Sequence, residues 1–127
     1  MPIDIVATQM KYKDPSSGNY INVANVAASY MNNIETVSGA TVSITGEPNM
    51  RYVCGEVSTI SITPPASGSM SVRFESGSTA AVLTAPSSGA SAVHWPEWFD
   101  ATSLEANTIY EIMIEDGVYG MVMSWPT

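Results

Sequence analysis

From residue 40 onward, apolar and polar side chains alternate with a period of two, the pattern of strands with one buried face. Residues 41–45 (Thr-Val-Ser-Ile-Thr) alternate, and Gly46-Glu47-Pro48-Asn49 breaks the run. Residues 51–63 read as one long strand, with Ser58, Ile60 and Ile62 on one face and Thr59, Ser61 and Thr63 on the other. Gly55 falls where the alternation slips phase, which is where a β-bulge inserts its extra residue. After Pro64-Pro65-Ala66-Ser67-Gly68, Met70, Val72 and Phe74 point one way and Ser71, Arg73 and Glu75 the other. Ser76-Gly77-Ser78 connects tightly to residues 79–84, and residues 86–91 form a looser loop. The last stretch is the most regular. Tyr110, Ile112 and Ile114 alternate with Glu111, Met113 and Glu115, Asp116-Gly117 supplies a hairpin turn, and the return strand sets Tyr119, Met121, Met123 and Trp125 on one face.

The first part of the chain reads differently. Residues 3–8 predict a short strand, and Asp14-Pro15-Ser16-Ser17-Gly18 between Tyr12 and Tyr20 predicts the turn of a small hairpin. Val23, Val26, Ala27, Tyr30, Met31 and Ile34 share a face at helical spacing, with Asn22 placed to cap it. This predicts one short N-terminal helix, marginal unless it packs against a neighbour. The expected organisation is an N-terminal arm over residues 1–38, serving attachment or oligomerisation, and a β domain over residues 39–127. Strands recurring every 8–12 residues between Gly and Pro predict a mostly β chain, an antiparallel β-sandwich or small barrel. No internal repeat of fixed period is evident.

Composition sharpens this picture. With 127 residues there is room for one ordinary core. Only 13% of residues are charged, against about 25% in typical soluble domains, so Ser, Thr, Asn and Gly fill the exposed positions. A coat so poor in charge suggests a surface partly covered by partners. Four Lys or Arg against twelve Asp or Glu leave a net charge of −8 and no basic stripe, which argues against nucleic acid and against an anionic membrane surface. There is no run of about 18 apolar residues to cross a bilayer, and the N-terminus lacks the pattern of a signal peptide. Cys54 stands alone, so no internal disulfide framework exists, and assembly in a reducing cytoplasm is the expectation.

Candidate chemistry is sparse. Cys54 and His94 are the only residues of their kinds, but a thiolate–imidazole pair needs a third group to orient it, and Cys54 sits in a strand pattern as a small buried residue would. One Cys and one His fall short of a zinc set. Glu97 and Asp100 are the one acid pair beside aromatics, and spacing alone does not make a glycosidase site. No catalytic residue, metal or cofactor is expected, and the chain reads as a non-enzyme. The candidate contact residues are Trp95, Trp98 and Phe99 in His94-Trp95-Pro96-Glu97-Trp98-Phe99, together with Met113 and Tyr119. Trp rings stack on sugars and anchor interfaces, though large aromatics more often serve to close the open end of a core. Met113 lies between Glu111 and Glu115 on the polar face, where a subunit contact explains an apolar side chain better than water does.

The string Arg51-Tyr-Val-Cys-Gly-Glu-Val-Ser-Thr-Ile-Ser-Ile-Thr-Pro-Pro-Ala-Ser-Gly68 resembles a stretch found in virion proteins of phages infecting Firmicutes. The resemblance continues through residues 72–84, Trp95-Pro-Glu-Trp-Phe-Asp100, residues 104–112 and Asp116-Gly-Val-Tyr-Gly-Met-Val-Met-Ser-Trp125, so that it spans roughly residues 40–127. It implies a C-terminal β module of a tail, fibre or head-associated protein, with no catalytic residue attached to it. The expectation is therefore a structural virion protein: a head fibre, decoration or short tail-fibre component. It would be assembled in the host cytoplasm without a signal peptide, homo-oligomeric as a trimer, and in contact with capsid or tail proteins. The short chain beginning at its own Met fits an accessory protein better than a fragment of a long fibre. The alternative is an adhesion module at a fibre tip that binds a receptor or host-surface glycan through residues 95–99.

Overall fold

The computed structural model describes residues 11–13, 20–22 and 33–127. The chain divides into two compact units, residues 1–33 and residues 34–127. In the first, β1 (Lys11–Lys13) and β2 (Tyr20–Asn22) pair antiparallel with Tyr12 opposite Ile21, as the turn signal between the two tyrosines predicts. The strand expected over residues 3–8 lies outside the described residues. So does most of the helix expected over residues 22–34. Its two ends are strand residues, Asn22 closing β2 and Ile34 opening β3, and no α-helix occurs among the described residues.

The second unit holds β3 (Ile34–Val37), β4 (Thr41–Thr45), β5 (Met50–Val57), β6 (Thr59–Thr63), β7 (Ser69–Ser76), β8 (Val82–Thr84), β9 (Thr108–Glu115) and β10 (Tyr119–Pro126). They form a five-stranded sheet, in the order β10-β9-β7-β5-β3, and a three-stranded sheet, β4-β6-β8. The chain is mostly β and sandwich-like, with one apolar core drawing side chains from both sheets.

The pairing differs from the antiparallel expectation, and two separate sheets replace a closed barrel. β3, β5 and β7 run parallel, as do β4, β6 and β8. Only β7, β9 and β10 are antiparallel neighbours. The chain winds as a coil: each rung places one strand in each sheet, and the next rung lies alongside it. Parallel neighbours need a long crossover, and here the opposite sheet supplies it. The reason is visible at Ser58. It lies between the end of β5 and the start of β6, so residues 51–63 form two strands around a corner instead of one long strand. The corners stack by backbone hydrogen bonds, Ser58 N to Ala40 O (2.7 Å) and Val82 N to Ser58 O (2.9 Å). Rungs are offset by 17 residues from Ile34 to Arg51 and by 20 from Arg51 to Ser71, so the structural repeat has no fixed period in the sequence.

Stacking puts like on like in the core. Val42, Ile60 and Leu83 align across one sheet, and Tyr52, Val72 and Ile112 across the other. Phe74, Val72 and Ile112 are fully buried, and side chains of this size each contribute roughly 1.5–3 kcal/mol on burial. The register shift between Val53 and Glu56 is the bulge that Gly55 signals. It lets Cys54 and Val57 both point inward although three positions apart. The hairpin turn also agrees with the sequence, with Asp116 (φ 53°) and Gly117 (φ 77°) both left-handed. A Cβ on Gly117 would lie 2.8 Å from the Pro65 carbonyl oxygen, so backbone packing as well as φ requires glycine there.

Candidate functional site

The residues with potential for catalysis are held apart or already used. Cys54 faces the core from β5, and burial pushes its thiol up, away from the thiolate. His94 is exposed and bridges the far side of β10 at Tyr119. Four strand spacings lie between them, on the order of 19 Å at about 4.8 Å each, too far for a nucleophile–base pair. The Asp100 carboxylate accepts from the Thr102 hydroxyl (2.6 Å) and the Thr102 N–H (2.9 Å), which hold it below the usual carboxylate range. That is a local turn. Among the described residues no group of three or more His, Cys, Asp or Glu could hold a metal ion, and no helix is long and apolar enough to cross a membrane.

The aromatic loop is graded from core to water. His94 N donates to Val118 O (2.6 Å) and Gly120 N to His94 O (3.0 Å), which ties the loop to the start of β10. Trp95 lies against Gly120, where a Cβ would come within 2.6 Å of its ring. Phe99 is buried, edge-on to Trp95 at 5.2 Å and to Tyr110 at 6.1 Å, and Tyr110 stacks on Phe74 at 5.4 Å. Phe99 is thus an anchor of the loop inside the core, with no surface to offer a partner. Trp98 stands out, 63% exposed and edge-on to Phe99 at 5.7 Å.

Met113 and Tyr119 belong to a different place, the outer face of the five-stranded sheet. Alternation turns Tyr119, Met121, Met123 and Trp125 of β10 outward while Gly120 and Val122 point in. Met113 of β9 lies opposite Met121, and all five are exposed, from 41% at Met113 to 59% at Tyr119. A hollow of about 210 Å³ on this face is lined by the three methionines with Arg51, Ser71, Glu111 and Val122. Arg51 and Glu111 form an ion pair across β7 at its polar rim. Scattered exposed apolar residues are ordinary, and their gathering on one face makes this a candidate interaction surface. Methionine suits it, because an unbranched, polarisable chain adapts to whatever packs on it.

Known protein families, curated proteins and solved structures include none that the chain matches.

Sequence reasoning identifies Met113 through its position between two glutamates. It places Met121, Met123 and Trp125 on one face and reads Met113, Met121 and Met123 as a soft, adaptable packing surface. The missing signal is register, since only the pairing of Met121 with Met113 shows that the two strands expose the same face side by side. Arg51 and Glu111 are also brought together only by the sheet order β9-β7-β5.

Proposed function

We propose that this chain is a non-catalytic structural module of a bacteriophage particle, a head fibre, decoration or short tail-fibre component, that acts by protein–protein contact. The observation that carries the contact is the gathering of Met113, Tyr119, Met121, Met123 and Trp125 on one exposed sheet face, where the three methionines line a hollow. The virion context rests on the sequence resemblance spanning residues 40–127. Mass spectrometry of purified particles tests it. The chain is expected at a fixed copy number, and Met113→Asp, a change at an exposed position, lowers incorporation at least tenfold while Ser43→Asp on the other sheet does not. Absence from particles sinks the virion reading, and equal incorporation of both variants sinks the contact surface.

A second reading, a glycan-binding tip, draws on Trp98, whose exposed ring lies edge-on to buried Phe99 and is of the kind that stacks on a sugar. Cell-wall polysaccharide binding lost in Trp98→Ala, with incorporation unchanged, would favour it.

A further inference from the structure

We infer that a second copy of the chain joins the edge of β10, which borders this surface, by antiparallel pairing of β10 with β10 of the other copy across a two-fold axis at Met123. The inference rests on the contact reading of this face and extends it to the adjoining edge. It begins with the outer edge of β10. Gly120 N donates away from β9, to His94 O, whereas Thr127 N donates toward it, to Asn107 O (2.9 Å). Alternation therefore turns the N–H and C=O of Val122 and Ser124 to the open edge as well. Among the described residues only His94 covers this edge, at its start, and Pro126, which has no N–H, closes its other end.

The free segment is self-complementary. With Met123 on the axis, Val122 of each copy faces Ser124 of the other, and the two pairs exchange four backbone hydrogen bonds. Met121 then lies beside Trp125 of the other copy, so the exposed apolar face of one sheet continues into the next. The ladder stops where Gly120, already bonded to His94, would meet Pro126. Charge favours the same place. The chain carries a net charge of −8, yet residues 119–126 contain no charged side chain, so two copies can meet here without setting like charges face to face. An edge strand normally carries a guard such as a lysine or an inward charge, and between Gly120 and Pro126 β10 has none. The other edges fit less well: β3 carries Glu35, β8 has three residues, and the outward side chains of β4 are Thr41, Ser43 and Thr45, with no apolar surface to bury. Such a two-fold contact is isologous and closes on itself, giving a dimer.

The test uses the full chain. Its native mass is expected to be twice that of one chain, and Met123→Glu, which sets two carboxylates against each other on the axis, is expected to reduce it to one. Cysteine placement reads the register directly. Across the axis the two Met123 Cα atoms would lie about 4.5 Å apart in a non-hydrogen-bonded pair, within the roughly 4.4–6.8 Å that a disulfide spans. The two Met121 positions would be four residues out of register, about 14 Å apart at roughly 3.4 Å per residue. Under mild oxidation Met123→Cys should therefore cross-link more than tenfold faster than Met121→Cys, and Cys54 is buried and does not compete. A single-chain or three-chain mass, or equal cross-linking of the two variants, overturns the pairing. Should that happen while particle incorporation still depends on Met113, the contact reading of the face stands and only the pairing at its edge is wrong.

Discussion

The outer faces of the two sheets cover the same core with opposite chemistry. On the three-stranded sheet the ladder sets Thr41 beside Thr59, Ser43 beside Ser61 beside Thr84, and Thr45 beside Thr63, with Val82 the one large apolar side chain turned outward. On the five-stranded sheet the outward positions of β9 and β10 hold Met113, Tyr119, Met121, Met123 and Trp125 beside Glu111 and Glu115. Threonine keeps the β-branched shape that strands favour and offers water a hydroxyl, so the first face is solvated without charge. The fold evidently can place hydroxyls on a sheet exterior. That it places methionine and tryptophan on the other sheet supports a contact there, since neither helps a solvated strand. The only Lys or Arg after residue 33, Arg51 and Arg73, also lie in the five-stranded sheet, on β5 and β7. Arg51 forms the rim of the methionine hollow with Glu111.

Both faces must cover one core for this contrast to hold, and the largest expected effect tests that. Phe74→Ala beneath the five-stranded sheet should cost about 3–5 kcal/mol, and Ile60→Ala beneath the three-stranded sheet about 2–5 kcal/mol, because each leaves a cavity among fully buried neighbours. Urea denaturation should show a single transition shifted in both variants. Separate transitions for the two changes would mean that the sheets are not one cooperative unit, and their faces would then belong to two different bodies.

How much of this was legible depends on whether the information was local. Strand alternation at Met70, Val72 and Phe74 and at Tyr110, Ile112 and Ile114 is written in neighbouring residues, and each of these side chains is buried. The Gly55 bulge and the Asp116-Gly117 turn are local too. The coil is not. Ser58 turns the chain from one sheet to the other without Gly or Pro, so the sequence around it is that of an uninterrupted strand. Parallel registers join residues 17 to 23 apart, as from Ile34 to Arg51 and from Thr59 to Val82, with no constant period to reveal them. Phe99 shows the same limit within the aromatic loop, where composition marks a cluster and only packing separates the buried anchor from exposed Trp98.

A smaller effect is expected where the aromatic loop meets β10. A side chain at position 120 meets the Trp95 ring and the Val93 side chain at once, so Gly120→Val must displace the loop that His94 ties to this strand. Overpacking of this kind costs roughly 1–3 kcal/mol. The loss should appear as a lower unfolding midpoint and as altered tryptophan fluorescence from Trp95. An unchanged midpoint would show that the loop contributes little to the domain, and that its start leaves the edge of β10 free.

The smallest effect separates the two faces most cleanly. Ser61 lies at the centre of the three-stranded sheet, half-exposed, with Ser43 on one side and Thr84 on the other. Ser61→Val removes one hydroxyl from a row that water already solvates and adds a residue that strands favour, so stability should change by no more than about 0.5 kcal/mol. Native mass should not change either, because a single valine does not make an apolar surface comparable to that around Met121. If Ser61→Val instead drives association, hydroxyls are what keep this sheet single. The methionine face would then differ from it only in lacking that protection, and not in having been shaped for a partner.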